Sequence, residues 1–406
     1  MAICPSAATM NSSFPGQVHT IVPQTSAAKT TTIGTMHQQG MSTATIRPST
    51  PLTPVPVSMS TSHPYATRRR AGGEGTIGEK AGSVSPVTGH PSIGDVHAAR
   101  DRIAGRVVRT PLAPWRAAPA GAAVWLKLEN LQETGSFKLR GATNTILSLS
   151  EDERGRGVVC VSSGNHGRAV AHVAAATATA ATVCLTSRVP AVKVEAIAAL
   201  GARVVIAGDT QDEADAEARR LVADEGLTFV HPFDDPRVIA GQGTIGLEII
   251  EDLPGVDTVI VPLSGGGLIS GIATVMAAAE RDIRVIGVSQ ERGPAMHDSL
   301  RAGRIVEVME EDTLADALAG GLGAENHHTY QICRALVHDT VLVGESEIAA
   351  AMAALSRDEG QVVEGGGAVG VAALLAGRVE AEGDVVVVVS GGNVDRVVFE
   401  RIAGAS

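Results

Sequence analysis

From about Ser92 onwards the chain alternates between short apolar runs and stretches with helical spacing. The apolar runs fall at residues 124–128, 157–161, 182–185, 204–207, 258–262, 284–288 and 384–389. Several are β-branched at successive positions, as in a strand buried on both faces. Helical spacing occupies 165–176, 191–200, 211–225, 238–251 and 268–279. Strands alternating with helices of that length predict βαβ units and a parallel sheet, hence a doubly wound α/β fold. No internal repeat with a period of roughly 20 to 50 residues interrupts this pattern.

The first part of the chain differs. No acidic residue precedes Glu74, and the stretch is rich in Ser, Thr and Pro, with a basic run at Arg68-Arg69-Arg70 and no apolar periodicity. Such a segment cannot bury enough apolar surface to offset its ordering entropy, so residues 1–90 are expected to form a disordered tail. The composition also suits a transit peptide, although no amphipathic Arg-bearing stripe opens the chain.

Net charge is −11 over 406 residues, which argues against a general nucleic-acid binder. The longest apolar runs fall far short of the ~20 residues of a membrane span. Cys4, Cys160, Cys184 and Cys333 lie far apart, with no CxxC pair and no neighbouring histidine cluster. They read as free thiols in a reducing, cytoplasmic setting, not as a disulfide framework or a zinc site.

Glycine-rich turns mark the places where strands run into helices. They are Ser162-Ser163-Gly164-Asn165-His166-Gly167, Ser264-Gly265-Gly266-Gly267-Leu268 and Ser390-Gly391-Gly392-Asn393. In doubly wound sheets the ligand lies at the carboxyl ends of the strands, and a loop that opens a helix suits an anion. A dinucleotide-binding module without catalysis is the competing class, but neither of the first two turns has GxGxxG spacing.

Of 33 Lys and Arg residues only five are Lys. Lys29 and Lys80 fall in the tail or at its junction, Lys193 in a helical stretch and Lys127 in mid-strand. Lys138 sits where a turn opens a helix, beside an aromatic ring and hydroxyls, in Thr134-Gly135-Ser136-Phe137-Lys138-Leu139-Arg140-Gly141-Ala142. A lysine there can have a lowered pKa and form a Schiff base; the alternative is a salt-bridged helix lysine.

That segment, extended back to Glu129-Asn130-Leu131-Gln132-Glu133, resembles the lysine motif of the threonine/serine dehydratase family. This is the group of fold-type II pyridoxal-phosphate enzymes that also includes serine racemase. The other motifs of the family follow in order: the three glycine-rich turns, His231-Pro232-Phe233-Asp234-Asp235-Pro236 and Gly241-Gln242-Gly243-Thr244. The resemblance implies two doubly wound parallel domains, like the tryptophan synthase β subunit. Residues 91–156 and 235–406 would form the large cofactor domain and 157–234 a small inserted one. A homodimer acting on a small amino acid is implied as well.

Carried over residue by residue, the resemblance makes Lys138 the carrier of pyridoxal 5'-phosphate and the shuttle of the substrate α-proton. Phe137 packs against the pyridine ring, Asn165 bonds its phenolic oxygen, and Ser390 meets the ring nitrogen. Ser264, Gly265, Gly266, Gly267 and Leu268 cradle the phosphate. Ser162, Ser163, Asn165 and His166 lie where the family binds the substrate carboxylate. The bland readings stay beside these: His166 could serve a helix start, Glu364 a turn, and Phe233 the core or a pocket wall.

Ser264 replaces a glycine common in the phosphate loop, and its hydroxyl can still donate. Ser289 stands where the family's divalent-cation site has a carboxylate, so no metal is expected. Only a short stretch follows Asp395, so no regulatory domain of the biosynthetic dehydratases is expected. Ser163 matches the second proton carrier of serine racemase, yet Ala214 occupies the racemase arginine position. β-Elimination of water to a keto acid and ammonia is therefore expected, with racemisation as the alternative. Within the family, residues 162–171, 242–248, 252–254 and 363–370 resemble the hydroxyectoine-utilisation dehydratases of bacteria.

Overall fold

The computed structural model describes residues 19–21 and 89–404, apart from 120, 122, 324 and 381. The tail expected over 1–90 lies outside the described residues, except for 19–21, 89 and 90, and so does Cys4.

The strands in chain order are β1 (His19–Ile21), β2 (Leu112–Pro114), β3 (Ala123–Leu128), β4 (Val158–Val161), β5 (Ala181–Leu185), β6 (Arg203–Ile206), β7 (Thr228–Phe229), β8 (Thr258–Pro262), β9 (Arg284–Gln290), β10 (Asp339–Val343) and β11 (Asp384–Val389). They form two sheets, of order β1-β6-β5-β4-β7 and β10-β9-β8-β11-β3-β2. Pairing is parallel throughout, except that the edge strands β1 and β2 run antiparallel to β6 and β3. This is the expected doubly wound α/β architecture of a fold-type II enzyme.

β11 shows why its apolar run is unbroken. Val385, Val387 and Val389 pack with the helix Gly365–Leu375, while Val386 and Val388 pack on the other face with the helix Gly267–Ala278. Strand side chains alternate between faces, so a strand covered on both sides must be apolar at every position.

Glycines set the spacing of the helices that carry the site. The helix Pro236–Asp252 lies between the helices Lys138–Ser148 and Gly267–Ala278. A Cβ on Gly241 would come 2.7 Å from the Cα of Gly141, and one on Gly271 would come 2.4 Å from the carbonyl oxygen of Ile239. Only bare backbone permits such approach, and it fixes Lys138 relative to the third helix.

Some elements escape a reading by periodicity. The helix Gly365–Leu375 opens with three glycines, which read as a turn, yet it is buried along nearly its whole length. β2 and β7 are too short for alternation to register. β1 joins the edge of β6 from within the segment expected to be a tail. Among the described residues no helix is long and apolar enough to cross a membrane.

Candidate active site

Lys138 is the first residue of the helix Lys138–Ser148, with Phe137 as its N-cap. The preceding turn is stitched to the end of β11: Phe137 N–H donates to the Ser390 carbonyl at 3.0 Å, and Ser136 bridges Gly391. Nζ of Lys138 donates to the Pro232 carbonyl at 2.6 Å and stands 5.3 Å from the centroid of the Phe137 ring. Burial lowers its pKa to about 8, with Glu364 pulling the other way. An amine with that pKa is a usable nucleophile and base near neutral pH.

Beside it lies the glycine cradle. Ser264 is half-buried, and Gly266 takes φ +87° immediately before the helix Gly267–Ala278. The first helical bond runs from Ser270 N–H to the Gly266 carbonyl, so the N–H groups of Gly265, Gly266, Gly267 and Leu268 have no helical acceptor. A Cβ on Gly265 would come 2.4 Å from the Phe233 ring, and one on Gly267 would come 2.9 Å from Phe233 backbone. Phe233 is thus a wall of the cradle. Gly265→Ala is expected to push that ring aside and weaken pyridoxal-phosphate affinity roughly tenfold, read by absorbance titration of the stripped protein. An unchanged affinity would mean that the cradle tolerates the shift.

The third component is the loop at the head of the helix Asn165–Ala176. Asn165 Nδ2 donates to Glu364 Oε1 at 2.7 Å, and its Oδ1 accepts from Asn393 Nδ2 at 2.6 Å. Ser162 Oγ accepts from Gly164 N–H at 3.2 Å. The half-buried Ser163 hydroxyl has no protein partner among the described residues. A Cβ at Gly167 would lie 2.1 Å from the Ser162 carbonyl, which explains the glycine there.

His166 does not present its ring to the site. Its Nε2 lies 2.8 Å from the Val230 carbonyl, and burial pulls the imidazole down to about 3. The His166 ring is thus engaged with the Val230 carbonyl, in keeping with the structural role that its place at a helix start also allowed. Ser390 is buried, and its hydroxyl makes only a long 3.5 Å contact to the Gly366 carbonyl. Ser289, also buried, donates to Gln290 Oε1 at 3.1 Å. Among the described residues no group of three His, Cys, Asp or Glu could hold a metal ion. The three described cysteines are buried free thiols.

These groups fit pyridoxal phosphate: a buried amine of lowered pKa, a cradle of unclaimed N–H groups that a Cβ would fill, and a buried hydroxyl with spare hydrogen-bonding capacity. Fold and site together define a fold-type II pyridoxal-phosphate enzyme. The chain belongs to that family: the family described as pyridoxal-phosphate dependent enzyme matches residues 103–391. It is 46% identical to an L-threonine ammonia-lyase of Thermotoga maritima, over 70% of this chain and 70% of that one. Among solved structures it is similar to maize serine racemase, with TM-score 0.73 and 33% identity over 77% of this chain and 96% of that one. It is also similar to the processed form of threonine deaminase isoform 2 from Solanum lycopersicum, with TM-score 0.70 and 34% identity over 77% and 87% of the two chains. It is accordingly a pyridoxal-phosphate-dependent lyase.

The local sequence of Glu364 suggests only a turn. The residue is the N-cap of the helix Gly365–Leu375, is 5% exposed, and burial raises its carboxyl to about 7 despite the Asn165 hydrogen bond. The only local signal was a carboxylate directly before Gly365-Gly366-Gly367. His231 and Asp234 carried no signal beyond the motif that contains them.

Proposed function

We propose that this lyase removes water from a β-hydroxy-α-amino acid of the threonine and serine type and releases a keto acid and ammonia. The observation that carries the reading is the Lys138 amine, buried at a helix start between the glycine cradle and the Asn165 loop, with a pKa of about 8. Pyridoxal phosphate, when bound, supplies the electron sink for the α-carbon. Lys138 and Phe137, Asn165, the cradle from Ser264 to Leu268 and Ser390 would hold it.

The rest is done by the chain. The N–H groups at the head of the helix Asn165–Ala176, with Ser162 and Ser163 beside them, suit the substrate carboxylate. The neutral amine of Lys138 takes the α-proton at Nζ, because about 8 is low enough for an appreciable unprotonated fraction at neutral pH. Ser390 offers the cofactor a neutral hydroxyl where a carboxylate would keep the ring protonated. Such a neutral contact at Ser390 would suit elimination of the β-hydroxyl. The Thermotoga maritima relative, an L-threonine ammonia-lyase, supports this reading.

Racemisation is the second reading, favoured by the unpartnered Ser163 hydroxyl and the likeness to maize serine racemase. Against it, the apolar Ala214, where a racemase arginine is expected, is fully buried among Val159, Val161 and Cys184. Ser163→Ala is expected to suppress any D-amino acid formed while keto-acid release stays within about threefold of the unaltered enzyme. Chiral chromatography of the products reads both, and parallel loss of the two products would show that Ser163 serves substrate binding alone.

The finer reading is a hydroxy amino acid derived from hydroxyectoine, turned over by a cytoplasmic homodimer with 157–234 as the inserted domain. The stretches 162–171 and 363–370 support it. Comparing kcat/KM for that compound, L-threonine and L-serine tests it, and a clear preference for L-threonine would remove it.

A further inference from the structure

Residues 231–234 form a short loop that touches both the Lys138 amine and the glycine cradle, and it is locked at both ends. At one end, Nδ1 of His231 accepts the N–H groups of Phe233 at 3.2 Å and Asp234 at 2.7 Å. Only an unprotonated Nδ1 can do so, and burial lowers the imidazole to about 4 although Asp234 and Asp235 oppose it. The imidazole thus closes a tight turn in the way an Asn or Asp side chain closes one. At the other end, the Asp234 carboxylate accepts the N–H groups of His327, His328 and Thr329 at 2.6, 2.9 and 2.8 Å. That caps the helix Thr329–Leu336, whose first residue lies against the cradle: a Cβ on Gly266 would meet Thr329 Cβ at 3.0 Å.

Between these anchors stand Pro232 and Phe233. Phe233 walls the cradle. Pro232 has no N–H to donate, and its carbonyl accepts from Lys138 Nζ at 2.6 Å. A neutral amine has two N–H bonds and one lone pair, so engaging one N–H with a fixed carbonyl restricts where the lone pair points. Proton abstraction depends steeply on that direction.

We propose that His231 is a positioning residue for proton transfer at Lys138: it fixes the turn that holds the Pro232 carbonyl against the amine. The proposal rests on the reading of Lys138 as the base. The test compares His231→Ala with His231→Asn, whose side-chain oxygen can accept the same two N–H groups. Steady-state keto-acid release and the visible absorbance of the lysine-bound cofactor are followed in the full-length holoenzyme. His231→Ala is expected to keep the absorbance and a KM within about threefold of the unaltered enzyme while kcat falls about 100-fold. His231→Asn is expected to recover most of that loss. A kcat within about threefold in His231→Ala, a loss that His231→Asn does not restore, or a loss that tracks disappearance of the absorbance would overturn the proposal. An unaltered enzyme that binds the cofactor yet releases no keto acid would overturn the base reading of Lys138 and the proposal with it.

Discussion

Lys138→Ala is expected to lower keto-acid and ammonia release by roughly 10,000-fold and to remove the visible absorbance of bound pyridoxal phosphate, with the fold intact. The loss should be this large because one side chain both holds the cofactor and moves the α-proton. No other described lysine can substitute. Lys127 is buried against Glu248 at 2.6 Å, and Lys193 faces Asp316 at 3.8 Å on the surface. Truncation itself should be tolerated, since it removes a charge whose burial already disfavours its protonated form. Absorbance, a coupled keto-acid assay and a melting curve on the same preparation check the three statements. Turnover retained with normal absorbance would sink the assignment.

The second large effect concerns stability. Arg140, two residues after Lys138, is fully buried in an ion network with Glu129, Glu248 and Lys127. Its Nε and Nη2 donate to Glu129 at 2.9 and 2.8 Å, and Nη1 and Nη2 donate to Glu248 at 2.7 and 2.8 Å. Thr110 also donates to Glu129, at 2.5 Å. Burial alone would raise the Glu129 carboxyl, but the charge and hydrogen bonds of Arg140 hold it below the usual carboxylate range.

Arg140→Ala leaves two carboxylates in the core with Lys127 as their remaining cation. The expected cost is about 3–5 kcal/mol, seen as a fall of roughly 10 °C in Tm. The sign of the pH effect follows from the lowered pKa. The stability contributed by Glu129 is complete above the ordinary carboxylate pKa of about 4.3 and is lost as pH falls through the folded-state value. The difference in Tm between the two proteins should therefore shrink in acid. A fall of less than about 2 °C at neutral pH would mean that the network contributes little beyond packing.

Much of this architecture was legible in the residues, and the exceptions have physical causes. The run from Val385 to Val389 announced a strand covered on both faces because burial leaves no room for polar positions. The three glycine-rich turns and Lys138 were legible because their chemistry is local: a turn, a helix start and an amine. His166 was not, since its neighbours in sequence could not reveal that its ring turns to Val230. Glu364 meets Asn165 from 199 residues away, and Asp234 meets His328 from 94. Their environment is made by tertiary contact, and a single chain read along its length has no period that encodes it. The helix Gly365–Leu375 was hidden for another reason: close packing demanded glycine, and glycine imitates a loop.

Elimination is the expected outcome of Lys138 chemistry in this site. The most direct test incubates the holoenzyme with L-threonine, L-serine and the hydroxyectoine-derived hydroxy amino acid, then separates keto acid from D-amino acid by chiral chromatography. Keto acid and ammonia are expected in equal amounts as the main products, with at most a trace of D-amino acid. Mostly D-amino acid, with little keto acid from any of the three, would contradict it and put the racemase reading in its place.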